Sequence, residues 1–314
     1  MQTVYLFLFF DAVAIPCEPF ATNQKVVSVG AVAIWVSTIY YACASYYFYS
    51  VRDMGLTGIA YAVGSMFALR AIILWLMVHC TSLFKKFDDC HFFSKETFTN
   101  IGPLLDMDVK SALMSVWGSW SFEGIAVMAT YLGAEVIAAQ TIIRSIAMLT
   151  FVMAKGYSFA NKIFIGACVG AGKHQAAKMY YCVNFTLAVG TMTFVIVLQY
   201  VFQDDLFELY THQDTIETEL IKVWPMFLTY QFFEIVNDQG EAVIKGTGKQ
   251  GTGLFFTAIA YILLAVPTSY YSAFKLDWGL TGVQFGPCAA AIFLAICFNI
   301  LIYQLDWVEL TEQV

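Results

Sequence analysis

The chain has 314 residues, of which 60% are hydrophobic, 17% aromatic and 12% charged, with a formal net charge of −7 and a mean hydropathy of +0.69. A water-soluble domain carries about a quarter charged residues, so that class is excluded, and apolar runs of about 20 residues make this an all-α integral membrane protein. No basic run suits a nucleic acid, and the eight cysteines and four histidines show no CxxC or HExxH spacing that would hold a metal.

Taken in order, about nine membrane helices are expected, near residues 2–20, 27–49, 55–79, 111–133, 137–160, 179–202, 220–243, 252–274 and 280–303. The first contains Asp11, Pro16 and Glu18. After the third, residues 81–110 hold Lys85, Lys86, Asp88, Asp89, Lys95 and Glu96 and read as a cytoplasmic connector between two bundles. Alternate connections carry the lysines: Lys25, then Lys85 to Lys110, then Lys173 and Lys178, then Lys245 and Lys249. By the positive-inside rule these face the cytoplasm, and the acidic stretch 204–219 faces outward. Nine crossings then put the N-terminus outside and residues 306–314 inside as a tail.

Two tracts repeat at one offset. Asp53-Met-Gly-Leu-Thr-Gly-Ile59 returns as Asp277-Trp-Gly-Leu-Thr-Gly-Val283, and Ser45-Tyr-Tyr47 returns as Ser269-Tyr-Tyr271, each 224 residues on (277 − 53; 269 − 45). A weaker echo aligns Phe9-Phe10-Asp11 with Phe232-Phe233-Glu234. An even number of crossings separates the copies, so the repeat is parallel, as in one class of transporters.

Ionisable groups inside membrane helices are costly and default to function. Glu123 lies mid-helix in Trp117-Gly-Ser-Trp-Ser-Phe-Glu123, and Glu234 in Tyr230-Gln-Phe-Phe-Glu234. Desolvation lets an acid in such a place exchange a proton near neutral pH, and its charge attracts a cation. The competing reading is a structural acid paired with a base such as Arg144 or Arg70. Asp238 shares a helix face with Glu234 at i+4, Glu241 reads as a solvated acid near the helix end, and Asp11 is the repeat partner of Glu234. The GxGxxG of Gly246–Gly251 follows no strand and reads as a tight turn rather than a nucleotide loop. The Asn184-Phe-Thr186 sequon falls inside a helix and is read as unused. No nucleophile–base spacing points to an enzyme.

Trp120-Ser-Phe-Glu123, Ala138-Ala-Gln140, Lys155-Gly-Tyr-Ser-Phe-Ala160, Gly166-Ala-Cys-Val-Gly-Ala-Gly172 and Val243-Ile-Lys-Gly-Thr-Gly-Lys-Gln250 together resemble the multidrug and toxin extrusion (MATE) family. The resemblance implies twelve helices in two parallel six-helix lobes around a cleft, with export of organic cations or amphiphiles in exchange for protons or sodium. It places residues 1–80 on a partial N-lobe and 111–305 on a complete six-helix C-lobe. It implies that the family's first three helices are missing, so that a truncated gene product is expected ahead of a partner chain that completes the N-lobe. Glu123 falls on the family's seventh-helix acid, Glu234 on its tenth-helix acid and Gln140 on an eighth-helix polar position. The expected substrate and cation site is therefore Glu123, Glu234, Gln140, Asp238 and Asp11, in a plasma or vacuolar membrane, with the proton as coupling ion, sodium as its alternative and no cofactor. Two other readings stay open: a non-transporting fragment or subunit of a full-length relative, and a lipid-linked glycan flippase, which would draw on Arg70 and Arg144 as cavity cations.

Overall fold

In lipid, the backbone of an apolar run can satisfy its N–H and C=O groups only internally, and the helix does this one segment at a time. The structure, a computed structural model, describes residues 10, 12, 16–23, 26, 28–80, 99 and 101–312, and its regular elements there are all helical. The chain divides into two compact units, 1–99 and 100–314. The division falls inside the expected connector, most of which lies outside the described residues.

In the first unit, α1 (Cys17–Asn23) precedes α2 (Ser28–Tyr46), which runs on as a π-helical stretch, Tyr47–Val51, before α3 (Gly55–Cys80). α2 and α3 pack as a hairpin around Val29, Ala33, Leu74 and Val78. Glu18 of α1 is bound by Arg70 of α3 at 2.5 Å.

The second unit holds α4 (Ile101–Thr130), α5 (Ala134–Gly170), α6 (His174–Val201), a short α7 (Gln203–Tyr210) and α8 (Asp214–Gly246). The next crossing is α9 (Gln250–Ala258), a π-helical stretch Ile259–Ala265 and α10 (Val266–Phe274). It is followed by α11 (Gly279–Gln304) and α12 (Trp307–Glu312). Six long crossings result, as expected for residues 111–305. α8 is the hub: it packs on α5, α6 and α11 and buries Trp224, Phe227, Gln231, Asp238, Gln239 and Val243. The tail helix α12 is docked rather than free, since Trp307 packs against the cluster of Ile165, Val169 and Ile302.

Among the described residues, six helices are long and apolar enough to cross a membrane: 28–51, 55–78, 134–170, 174–201, 250–274 and 279–304. α4 and α8, at 30 and 33 residues, are long enough but more polar. They are the helices that carry Glu123 and Glu234, so the two least apolar crossings are those bearing the candidate site acids. The expected 2–20 helix falls mainly outside the described residues, with α1 near its end.

Several helix ends overrun the expected bounds, each for a local reason. α4 starts at Ile101 rather than 111, with Pro103 in its first turn, where proline costs no hydrogen bond, and with Asp106 bound to Lys110 one turn later. α8 starts at Asp214, because Asp214 and Glu217 in its first turn suit the positive end of the helix dipole. The acidic 204–219 stretch is therefore mostly helix, not loop. The Gly246–Gly251 tract is a turn, as its spacing suggested: α8 ends at Gly246 and Gly248 has φ +76°.

The repeat is written in the backbone as well. Asp53 and Asp277 both adopt left-handed φ (48° and 54°), and Gly55 and Gly279 follow at 55° and 56°. Met54 N–H donates to Phe48 C=O and Trp278 N–H to Ser272 C=O, both at 3.1 Å; Arg52 to Tyr47 and Leu276 to Tyr271 form the second matching pair, at 3.1 and 3.2 Å. Gly58 and Gly282 close the two turns where a side chain has no room. A Cβ would meet the Phe48 carbonyl oxygen at 2.9 Å in the first copy and the Ser272–Ala273 backbone at 2.6 Å in the second.

Candidate cation-binding site

The site starts from α4. Ser121 donates its hydroxyl to the Tyr261 carbonyl at 3.2 Å, anchoring α4 on the π-helical stretch 259–265, where the same carbonyl also accepts from Val266 N–H. That anchor fixes the neighbouring Phe122 and Glu123 against α5. Between α4, α5, α8 and α11 lies a cavity of about 300 Å³, lined by Glu123, Gln140, Arg144, Phe151, Tyr230 and Gln284 with further apolar groups.

Polar groups in the cavity are paired across helices. Arg144 Nη2 of α5 donates to Glu123 Oε1 of α4 at 2.7 Å, and the two side chains remain 46% and 64% exposed within this unit. Gln284 Nε2 of α11 donates to Gln140 Oε1 of α5 at 2.8 Å, and both residues are buried. Tyr230 stands between Phe122 and Phe151, edge-on to each at 6.1 and 5.9 Å. Its hydroxyl is buried with no hydrogen-bond partner among the described residues. A buried hydroxyl left over in this way is uncommon, and Tyr230 is one of the residues that line the hollow.

The second acid sits further along α8. Glu234 follows Tyr230 by one turn, about 6 Å along the axis. It is half-buried and accepts a bond from Asn237 Nδ2 at 3.3 Å. One turn on, Asp238 is 2% exposed and is bound by Lys155 of α5, while Ser158 Oγ donates to the Asp238 carbonyl at 3.0 Å. The charges of Asp238 and Lys155 both act on Glu234. Glu241 is engaged by Lys245 on its own helix and is not a simple solvated acid. Gln239 accepts from Asn161 at 3.2 Å and from Asn184 at 3.3 Å. The sequon asparagine is thus held within the bundle.

The structure therefore brings Glu123 and Gln140 into one cavity and places Glu234 and Asp238 one and two turns beyond it. Glu234 does not line the cavity that holds Glu123. Asp11 lies outside the described residues. The pairing of Glu123 with Arg144, the competing structural reading, is present, but it stands inside the hollow rather than away from it. Arg70 is held by Glu18, so both arginines that a glycan flippase would draw on are matched by acids. Four participants were not singled out from the sequence: Lys155, Ser158, Tyr230 and Gln284. Lys155 had a usable signal, a cation inside an apolar span; the other three are ordinary in type, and only the helix packing selects them.

A family model described as MatE matches residues 111–271, a little over half of the chain. Multidrug and toxin extrusion protein 1 of Danio rerio is 23% identical over 292 residues, covering 93% of this chain and 49% of that protein. The Homo sapiens protein of the same name is 25% identical over 294 residues, covering 93% and 51%. The chain spans about half the length of these curated relatives. Among solved structures, the eukaryotic MATE transporter AtDTX14 superimposes with a TM-score of 0.91 at 18% identity, covering 99% of this chain and 69% of that one. A MATE in the bent conformation gives 0.83 at 18% identity with the same coverage. At that identity the likeness speaks for the fold, which agrees with the helical bundle described above. With the family model covering over half of the chain, including Glu123, Gln140, Tyr230 and Glu234, and with apolar crossings on both sides of them, the chain belongs to the MatE family and is an integral, multi-pass membrane protein.

Proposed function

We propose that this chain exports small organic cations or amphiphiles by exchange for protons, as a secondary active transporter. The observation that carries this reading is the 300 Å³ hollow inside a membrane bundle, with Glu123 on its wall and Glu234 one turn beyond Tyr230. A hollow of that size is at the small end of ligand sites, and its aromatic and aliphatic walls suit the apolar part of an amphiphilic cation. The carboxylates suit its charge, and protons arriving from outside compete for the same oxygens and release the cargo. Movement between two lobes then supplies alternating access. The names of the relatives, multidrug and toxin extrusion proteins, support this cargo class.

The test uses the full chain reconstituted in liposomes, with an imposed pH gradient and a fluorescent organic cation. Uptake into acid-loaded vesicles is expected. Glu123→Gln and Glu234→Gln should each abolish it with insertion and yield intact. Undiminished transport in both variants would remove the mechanism, and uptake driven only by a sodium gradient would change the coupling ion.

A further inference from the structure

A second hollow lies where α6 begins and α11 ends. It is open, has a volume of about 590 Å³, and is lined by His174, Gln175 and Lys178 of α6, Gln304 of α11 and the Leu305–Val308 entry to α12. That volume falls within the range of ligand sites, about 300–1,000 Å³. None of its lining residues belongs to the cation site. The apolar spans 174–201 and 279–304 both terminate here, so in a bilayer the hollow stands at the level of the lipid head groups.

Its charges come as one pair of opposite sign. Lys178 and Asp306 are both exposed, and neither forms an ion pair among the described residues. Lys173 and Glu309, the next charges on each side, offset each other in turn. His174, Gln175 and Gln304 add hydrogen-bonding groups. Asp306 Oδ1 accepts from the Val308 and Glu309 N–H groups at 2.9 and 3.2 Å, which fixes the carboxylate in the lining, and Trp307 packs on the cluster of Ile165, Val169 and Ile302. The wall is therefore built, and it presents a cation and an anion on different helices.

We propose that this hollow binds the head group of a zwitterionic phospholipid of the ethanolamine class, with the phosphate on Lys178 and His174 and the ammonium on Asp306. Basic pockets at the ends of membrane helices suit lipid phosphates, and the carboxylate here selects those that also carry an amine. A head group with a phosphate and no amine leaves Asp306 facing a like charge. The exposed Met179 and Val183 of α6 and Ile296, Ile300 and Tyr303 of α11 give the acyl chains apolar faces to run along. The assignment does not rest on the exporter reading.

The experiment titrates the purified full chain in detergent at pH 7 with phosphatidylethanolamine and phosphatidylglycerol of identical acyl chains, and reads bound lipid by native mass spectrometry. Wild-type protein should bind the ethanolamine lipid more tightly. Asp306→Asn keeps a residue that can cap α12 and removes the partner of the amine. The affinity ratio should then move towards the glycerol lipid by about two- to fivefold, the worth of one solvent-screened charge. Lys178→Gln should weaken both lipids by a similar factor. Free phosphoethanolamine should compete less well than the lipid, because it lacks the chains; equal competition would assign the hollow to a soluble phosphoamine and overturn the lipid. No preference in the wild type, an unmoved ratio in Asp306→Asn, or full affinity for both lipids in Lys178→Gln would each overturn the proposal. Glu123→Gln and Glu234→Gln should leave the ratio unchanged, so this failure is distinct from failure of the exporter reading.

Discussion

The Glu123–Arg144 pair decides how the cavity meets a cation. Arg144 already occupies one Glu123 oxygen at 2.7 Å, so a cargo ammonium must displace the guanidinium before it can use that charge. The perturbation is Arg144→Gln, which keeps polarity and removes the competitor. Both side chains are substantially exposed, 46% and 64%, so solvent screens the pair and its worth is about 1 kcal/mol at most. Returning that energy to the cargo tightens its Kd by up to about fivefold. The assay is equilibrium binding of tetraethylammonium to the purified chain at low and high salt. The gain should shrink at high salt, because a screened charge competes less well. Arg144→Lys should keep most of the competition, and Glu123→Gln should weaken binding in either background. Weaker binding in Arg144→Gln would show that the arginine helps hold the cargo, and would refute the competition argument.

Two further outcomes follow from packing. Gln284→Leu strips the bond to the buried Gln140 amide and leaves its oxygen unpaired, costing about 1–3 kcal/mol. Gln140→Leu with Gln284→Leu should recover much of that loss, as read by a double-mutant cycle of thermal unfolding in detergent. Gly282→Ala drives a methyl into the Ser272–Ala273 backbone and should destabilise by about 1–3 kcal/mol. Gly58→Ala, at the equivalent turn, should act in the same direction but less strongly, because its nearest atom is 2.9 Å away rather than 2.6 Å. Equal thermal stability of Gly282→Ala and wild type would break the link between the repeated tract and the tight turn.

Membrane helices are legible in sequence because lipid leaves the backbone so few alternatives. The 279–304 crossing differs from its expected bounds by a single residue at each end. The reading is weaker at polar ends. Residues 101–110 and 214–219 look soluble, yet they extend α4 and α8 because intrahelical ion pairs and first-turn acids stabilise helix outside lipid. The repeated tract was legible because its geometry demands particular residues: Asp tolerates a left-handed φ, and glycine must stand where two backbones meet. Glu123 and Glu234 stood out as charges in apolar runs. Their separation into two sites did not, since it depends on which faces of α4, α5 and α8 meet. Lys155 and Asp238 are 83 residues apart, and no local pattern links them.

The charged groups of α4, α5 and α8 stand at two levels of the bundle. In the cavity Arg144 is paired with Glu123, so a cation gains that carboxylate only as the arginine yields. One turn past Tyr230 comes Glu234, and one turn further Asp238, bound by Lys155 of α5. Tyr230 stands between the two levels, with an unpaired hydroxyl and a ring clasped by Phe122 and Phe151. On the exchange proposed above, a proton on Glu234 would release the cargo without disturbing the Lys155–Asp238 clamp. On that proposal, Glu234→Gln should still bind a cation but no longer be driven by a pH gradient.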